Sequence, residues 1–170
     1  MVYFQNYKNK KGNAVLDTLT ILVIVVTFAI ISIIGSSVFN EVDSEIQANP
    51  EMSNDAKNIS GDLLDKYPRL FDNMVLFAFV LLVAFTIISV FMLDTHPIFF
   101  ILTVIMLISV FLVSILLGNA YNDIMQEDEF SAYANEFTYT TWLMTHILQL
   151  MIAVGFIVGI TLFIKFKAIT

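Results

Sequence analysis

The sequence predicts an all-α integral membrane protein with four transmembrane helices. Hydrophobic residues make up 58% of the 170 residues, the mean hydropathy is +0.84, and only 14% of the residues are charged. Soluble domains are about one quarter charged, so this composition does not suit a water-facing globule. The few charged residues are also unevenly placed, and they leave long uncharged stretches that suit a lipid bilayer.

Four uncharged stretches locate the predicted spans. A charged side chain at the bilayer centre costs about 2.5–3.5 kcal/mol, and a helix needs about 20 residues to cross the hydrocarbon. The stretches lie between Asp17 and Glu41, between Asp72 and Asp94, between Asp94 and Asp123, and between Glu136 and Lys165. We therefore predict helices over residues 15–38, 74–93, 97–117 and 142–164.

The first apolar stretch follows a cluster of lysines, Lys8, Lys10 and Lys11, as the core of a signal peptide would. The stretch is longer than a signal-peptide core and lacks an A-x-A-like cleavage site, so we expect a retained helix. Its start, Lys10-Lys11-Gly12 with Asp17, also resembles a type IV prepilin, but the later spans are foreign to pilins.

A tight turn joins the second and third spans. Asp94 or Thr95 can cap the third helix, and Pro97 fits its first turn because the missing N–H needs no helical partner there. The turn therefore predicts an antiparallel helix pair. His96 is either an interfacial turn residue or, with Asp94 close by, a proton acceptor or ligand.

Residues 40–73 form the longest polar linker, and residues 54–66 within it predict a short amphipathic helix. Its apolar residues share one face and follow a candidate N-cap: Ile59, Leu63 and Leu64 after Ser53 or Asn54. Two placements stay open for this helix. It lies on the membrane or a partner, or it packs on the protein's own bundle.

The second polar linker, residues 118–141, combines carboxylates with aromatic side chains. They are Asp123, Glu127, Asp128, Glu129 and Glu136, interleaved with Tyr121, Phe130, Tyr133 and Phe137. Carboxylates this dense could hold Ca²⁺, but the Asp-x-Asp-x-Asp-Gly spacing of a calcium loop is missing. We expect a solvated acidic loop, and we predict no metal and no cofactor.

The fourth span carries candidate interfacial anchors at both ends. Tyr139 and Trp142 fall where aromatic side chains meet the headgroups, and Lys165 and Lys167 can snorkel at the far end. His146 then lies just below the headgroups, with no carboxylate in the spans to relay a proton.

Small residues mark candidate helix-packing positions. Gly155 and Gly159 form a G-x-x-x-G step, which lets two helix backbones approach closely. Ser114 and Gly118 form a similar small pair in the third span. Packing within the bundle and packing between two copies are both compatible with these steps.

The cations set the expected orientation. With four spans, the termini and the 94–96 turn share one side, which carries five lysines near helix ends. The 40–73 and 118–141 linkers share the other side, with thirteen acidic residues and three cations. The positive-inside rule therefore places the termini in the cytoplasm.

Composition and motifs disfavour several function classes. The net charge of −7, with seven Lys and one Arg, disfavours nucleic-acid binding. The absence of Cys excludes disulfides and thiolate chemistry. We expect no enzyme, because no catalytic motif is present and no polar residues converge within the spans. Carriers usually keep charges or helix breakers at mid-membrane, and these spans do not.

The architecture as a whole, with the stretch from Lys10 to Thr18 and the Asp94-Thr95-His96-Pro97 hairpin, resembles small multi-span membrane proteins of viruses and phages that carry a membrane beneath an icosahedral capsid. The resemblance implies a structural virion protein that lines or shapes a bilayer and tethers it to the capsid or to neighbouring membrane proteins. The expected location is a virion internal membrane or the host cytoplasmic membrane.

A second hypothesis is a small oligomeric channel or a holin-like protein that permeabilises membranes. Such a homo-oligomer needs a polar stripe in each protomer. The nearest candidate is a set of hydroxyl residues in the first span, Thr20, Thr27, Ser32 and Ser36, which can also bond back to their own helix.

Overall fold

The computed structural model describes residues 14–92 and 97–167, and it confirms the all-α fold class. The helices are α1 (Ala14–Ala48), α2 (Asn54–Met92), α3 (Pro97–Met125), α4 (Asp128–Ala134), α5 (Thr138–Thr145) and α6 (Ile147–Lys167). Four of them, α1, α2, α3 and α6, are long and apolar enough to cross a membrane, which makes the chain a multi-pass membrane protein. The predicted capping residues and His96 in the 94–96 turn lie outside the described residues.

The four long helices form a bundle in the cyclic order α1–α2–α6–α3, because α1 and α6 each pack against both α2 and α3. α1 and α2 are antiparallel. Thr18 and Thr86 share a hydrogen bond of 3.0 Å at one end, and Gln47 and Lys57 exchange side-chain-to-backbone hydrogen bonds at the other. α3 and α6 are also antiparallel, with Gly118 near Ile147 and Gly155 near Phe111.

α1 and α2 are much longer than the predicted spans 15–38 and 74–93. They have 35 and 39 residues, or about 52 and 58 Å, whereas the bilayer hydrocarbon is about 30 Å thick. Residues 54–66 are therefore not a separate helix but the first part of α2, which begins at a real cap because Ala56 N donates to Ser53 Oγ over 3.2 Å. Charge limits insertion into lipid and does not stop a helix in water, so the helices continue past the membrane.

We call residues 41–71 the projecting hairpin. It consists of the end of α1, the turn at residues 49–53 and the polar start of α2. From Asp72 back to Asn54 the helix rises by about 27 Å, which carries the tip well beyond the headgroups. The longest linker is thus a pair of antiparallel helices rather than a loop.

The fourth span is made of two helices, which corrects the single helix predicted over 142–164. α5 ends at Thr145 and α6 begins at Ile147, with His146 between them at φ −106° and ψ 13°. His146 Nδ1 lies 2.8 Å from the Trp142 carbonyl oxygen, so the side chain takes part in the hydrogen bonding at the break. Hydrogen bonds from His146 N to the Trp142 carbonyl oxygen (3.1 Å) and from Leu150 N to the His146 carbonyl oxygen (2.9 Å) still connect the two helices.

Buried apolar side chains fill the centre of the bundle, and other apolar side chains cover its outer surface. On α1, one buried row follows the helical period: Leu22, Val25, Val26, Ala29 and Ile33. Outward-facing aromatic residues include Phe77 and Phe156, which are 64% and 70% exposed. An outer surface of this kind suits lipid contact.

Candidate functional site

The polar end of the bundle, where the projecting hairpin meets α4 and α5, is organised by a buried carboxylate. Asp72 is only 5% exposed. Its Oδ1 accepts a hydrogen bond from Thr140 N at 2.6 Å, and its Oδ2 accepts one from Tyr139 N at 3.0 Å. The first N–H groups of a helix lack helical partners, and Phe137, at the N-cap of α5, supplies no side-chain cap. Asp72 therefore caps α5 from a different helix.

A layer of hydroxyl groups continues from this carboxylate into the bundle. Tyr121 is 1% exposed, and its hydroxyl shares a 3.1 Å hydrogen bond with Thr141 Oγ1. Thr141 Oγ1 also donates to the Ala134 carbonyl oxygen at 2.8 Å. Thr140 Oγ1 is buried and has no hydrogen-bond partner within the described part of the chain. These contacts connect α3, α4 and α5 at the polar end of the buried core.

Two further hydrogen bonds connect α1 to α4 and to the turn that follows α4, at the same end. Asn40 Nδ2 donates to the Tyr133 hydroxyl at 2.6 Å, and Ser36 Oγ donates to Glu136 Oε2 at 3.5 Å. Beside them is a polar cavity of about 370 Å³, lined by Asn40, Leu64, Asp65, Pro68, Arg69, Tyr133 and Glu136. The lining combines two carboxylates with the chain's single arginine.

The acidic side chains of this end do not gather into a metal site in residues 14–92 and 97–167, where no group of three or more His, Asp or Glu residues could hold an ion. Asp123, Glu127, Asp128 and Glu129 are all exposed. They lie at the end of α3 and around the start of α4, so the acidic segment expected to be a loop is largely helical.

The structure separates the two glycines of the G-x-x-x-G step. Gly155 is buried, and a Cβ there would lie 2.6 Å from Phe111 Cζ on α3. A Cβ at Gly159 would meet nothing within 4 Å. Gly155 thus lets α6 pack on α3, whereas Gly159 opens onto a groove.

This groove lies between α3 and α6 and has a volume of about 420 Å³. Its lining is apolar and includes both glycines: Val104, Leu107, Ile108, Phe111, Ile152, Gly155, Phe156, Gly159, Ile160 and Phe163. All of these residues lie in the apolar parts of the two helices that are long enough to cross a membrane.

Ser114 and Gly118 also face the interface between α3 and the fourth span. Gly118 is buried, and a Cβ there would lie 3.1 Å from Ile147 Cγ2. Ser114 is fully buried, but its hydroxyl donates to the Val110 carbonyl oxygen of its own helix at 2.8 Å. The serine therefore contributes its small size and makes no hydrogen bond across the interface.

The predicted anchors lie at opposite ends of the fourth span. Tyr139 and Trp142 are 52% and 54% exposed at the polar end, and the Trp142 ring stacks on His146 with ring centroids 5.1 Å apart. At the other end, Lys165 Nζ donates to the Phe91 carbonyl oxygen at 2.7 Å and so links α6 to α2. Lys167 is exposed.

Sequence reasoning missed two residues that shape the polar end. It used Asp72 only to mark where an uncharged stretch begins, because nothing beside Asp72 in the sequence indicates its partners in α5, which are 67 and 68 positions away. It gave Gly35 no role, yet the Tyr67 hydroxyl occupies the space that a Cβ at Gly35 would need. Tyr67 stacks on Phe71 with ring centroids 4.2 Å apart and lies 4.8 Å from the Phe39 ring.

Comparison with known proteins produced no match to a family model, to a curated protein or to a solved structure. The resemblance to viral membrane proteins therefore stays an expectation drawn from the sequence. Function has to be inferred from the charge, exposure and contacts of the chain's own residues.

Proposed function

We propose that this protein is a structural membrane protein of a virion, which shapes a lipid bilayer and tethers it to a capsid or to neighbouring membrane proteins. The observation that carries the proposal is the projecting hairpin. Its two helices continue from the membrane spans without a break and extend about 27 Å beyond Asp72. A helical projection on a four-helix base suits a tether, since it presents a contact surface above the lipid.

The contacts at the polar end support a mechanical role. Asp72 connects α2 to α5, and Asn40 connects α1 to Tyr133 on α4, so both helices of the projecting hairpin are held at the point where they leave the base. The two Asp72 bonds join a carboxylate to backbone N–H groups, which is the stronger class of hydrogen bond, and the Asn40 bond adds a neutral contact. The base can therefore transmit force between the bilayer and whatever binds the hairpin.

The channel hypothesis gains no comparable support. The four hydroxyl residues proposed as a stripe do not share a surface, because Thr20 and Thr27 are exposed whereas Ser32 and Ser36 are buried in the bundle. Ser32 Oγ donates to the Phe28 carbonyl oxygen of its own helix at 2.7 Å. A wet lumen would need polar side chains aligned along one face.

Electron cryo-tomography of native membranes that contain the protein tests the proposal. We expect an ordered protein layer that follows one face of the bilayer, at a distance set by the hairpin. Isolated rings with an open lumen would instead support the channel hypothesis and contradict a tether. Virion internal membranes and host cytoplasmic membranes should be imaged in parallel, because both are expected locations.

A shortened variant sharpens this test. Replacing residues 45–60 with a short Gly-Ser turn removes the outer half of the projecting hairpin and leaves Ser36, Asn40 and Asp72 in place. We expect the variant to insert normally and to lose its connection to the protein layer. An unchanged layer around the shortened protein would show that the hairpin is not the tether.

A further inference from the structure

The projecting hairpin has no core of its own. Between Ser36 and Asp72, a stretch that is described throughout, no side chain is fully buried. Ile59 and Leu63 nevertheless point outward, with 61% and 56% of their surface exposed. A single exposed apolar side chain is ordinary on a protein surface, but these two lie one helical turn apart and so form one continuous apolar strip, which suits a contact surface.

Lipid does not cover these two side chains. Along α2, Leu63 and Ile59 lie about 14 and 20 Å from Asp72, which is at the boundary of the apolar span. The headgroup layer on each side of a bilayer is only about 5–8 Å thick. Both residues therefore stand in water beyond the headgroups.

Ile59 and Leu63 form what we call the apolar edge, and carboxylates flank it. Asp55 precedes Ile59 by four residues and Asp62 follows it by three, so both lie beside it on the helix surface. Asp62 also pairs with the exposed Lys66 at 3.2 Å. Across the projecting hairpin, seven acidic residues face three cations. The apolar edge is thus set in a negative field.

We infer that the apolar edge binds a basic amphipathic helix of a neighbouring protein, an inference that rests on the proposed tethering function. Ile59 and Leu63 lie one turn apart on α2, so they suit the apolar face of a helix packed alongside it. Lysine or arginine beside the partner's apolar row would meet Asp55 and Asp62. A second copy is disfavoured, because two hairpins of the same negative charge repel each other.

Site-specific photo-crosslinking in native membranes tests this inference with the full chain. The photo-reactive amino acid p-benzoylphenylalanine replaces Leu63 in one variant and, as matched controls, Met52 at the hairpin tip or Ser131 on α4 in two others. We expect the Leu63 variant to form an adduct whose crosslinked peptide, identified by mass spectrometry, is amphipathic and carries a net positive charge.

Charge variants test whether the adduct depends on the carboxylates beside the apolar edge. The double substitution Asp55→Asn with Asp62→Asn should lower its yield several-fold, and Glu45→Gln with Glu51→Gln, which removes the same charge elsewhere on the hairpin, should leave it nearly unchanged. Raising the salt to 1 M should also lower the yield, because screening then acts over about 3 Å. Equal losses from both charge variants would overturn the inference that the apolar edge is the site.

The remaining outcomes each decide the question. An adduct between two copies, an adduct with lipid alone, or no adduct at Leu63 overturns the inference. If Ser131 or Met52 captures proteins of the layer while Leu63 does not, the tethering function stands and the apolar edge is not its site. If Leu63 captures a basic helix in membranes that carry no ordered layer, the edge is a binding site and the proposed tether to a shell fails.

Discussion

Asp72 and Gly35 each make a contact between helices that no neighbouring residue can replace. A buried carboxylate is costly unless it is charge-paired or hydrogen-bonded, and Asp72 meets this requirement with two backbone N–H groups at a helix N-terminus, where negative charge is favoured. Gly35 lets the Tyr67 ring lie against α1, where any Cβ would collide with the hydroxyl. Both residues act where the projecting hairpin joins the membrane base.

Replacing Asp72 with asparagine should destabilise the protein by about 1.5–3 kcal/mol, the range for hydrogen bonds to a charged group. Asparagine keeps one acceptor oxygen, but its NH₂ group faces the second N–H of α5. The free energy of unfolding can be measured by denaturant titration in detergent micelles. Asp65→Asn is the matched control, because Asp65 is exposed and its substitution should change stability by less than about 0.5 kcal/mol. Equal effects of the two substitutions would show that Asp72 does not cap α5.

Replacing Gly35 with alanine should lower the free energy of unfolding by about 1–3 kcal/mol, the range for overpacking a core. The new Cβ would overlap the Tyr67 hydroxyl, and Tyr67 cannot move freely because its ring is packed against Phe39 and Phe71. Gly61→Ala is the control, since a Cβ there meets nothing within 4 Å and alanine favours a helix.

A double-mutant cycle identifies the contact responsible. Adding Tyr67→Phe to Gly35→Ala removes the hydroxyl that collides with the new methyl group, so part of the lost stability should return. If the changes in unfolding free energy caused by Tyr67→Phe and Gly35→Ala are additive, the collision is not the cause of the lost stability.

At the scale of helices, the two glycines of α6 have different roles although the sequence makes them look equivalent. Gly155 is enclosed by Phe111, and Gly159 opens onto the groove between α3 and α6. A small-xxx-small pattern shows only that two helices can approach closely. Which of the two glycines lies at the contact depends on the side chains of the neighbouring helix.

Single leucine substitutions should separate these roles. Gly155→Leu should destabilise the bundle by about 1–3 kcal/mol or more, because the side chain must displace the Phe111 ring. Gly159→Leu should leave the unfolding free energy nearly unchanged, since its side chain can enter the groove. Unfolding titrations of the two variants provide the comparison. A change in oligomeric state in Gly159→Leu alone would show that a second copy binds in the groove. Equal destabilisation by the two substitutions would contradict the different roles assigned to Gly155 and Gly159.

The helices also show what the sequence can and cannot predict. Uncharged stretches located the apolar parts of all four long helices, because insertion into lipid penalises charge so strongly. The same criterion placed the end of the first span near Glu41 and the start of the second near Asp72. In the structure, α1 continues to Ala48 and α2 already begins at Asn54. Charge reports where lipid ends and not where a helix ends.

The buried faces of the helices could not be predicted at all. α1 and α3 are apolar on every side, so no periodicity separates the row that packs inward from the row that meets lipid. The cyclic order of the helices and the capping of α5 by Asp72 depend on that choice. The polar end was recognisable as acidic and aromatic, but its contacts arise from residues 67 or 68 positions apart in the chain.

On the scale of the whole molecule, the protein divides into an apolar base and an acidic polar end. Hydrogen bonds from Asn40 and Asp72 bring the 40–73 and 118–141 segments together at that end of the bundle. Lys165 and Phe91 meet at the opposite end. In a bilayer, both polar segments must therefore face the same compartment, and the end of α6 must face the other.

Cysteine labelling tests this arrangement directly. The chain contains no native cysteine, so a single cysteine introduced at Ser53 or at Ser131, both exposed, reports one position without background. In sealed vesicles, an impermeant thiol reagent should label both positions from the same side, and a cysteine at Lys167 should be protected until the vesicles are opened. The positive-inside rule further predicts that the labelled side is the extracytoplasmic one. Labelling of Ser53 and Ser131 from opposite sides would contradict the four-span topology, because the Asp72 cap could not then join α2 to α5.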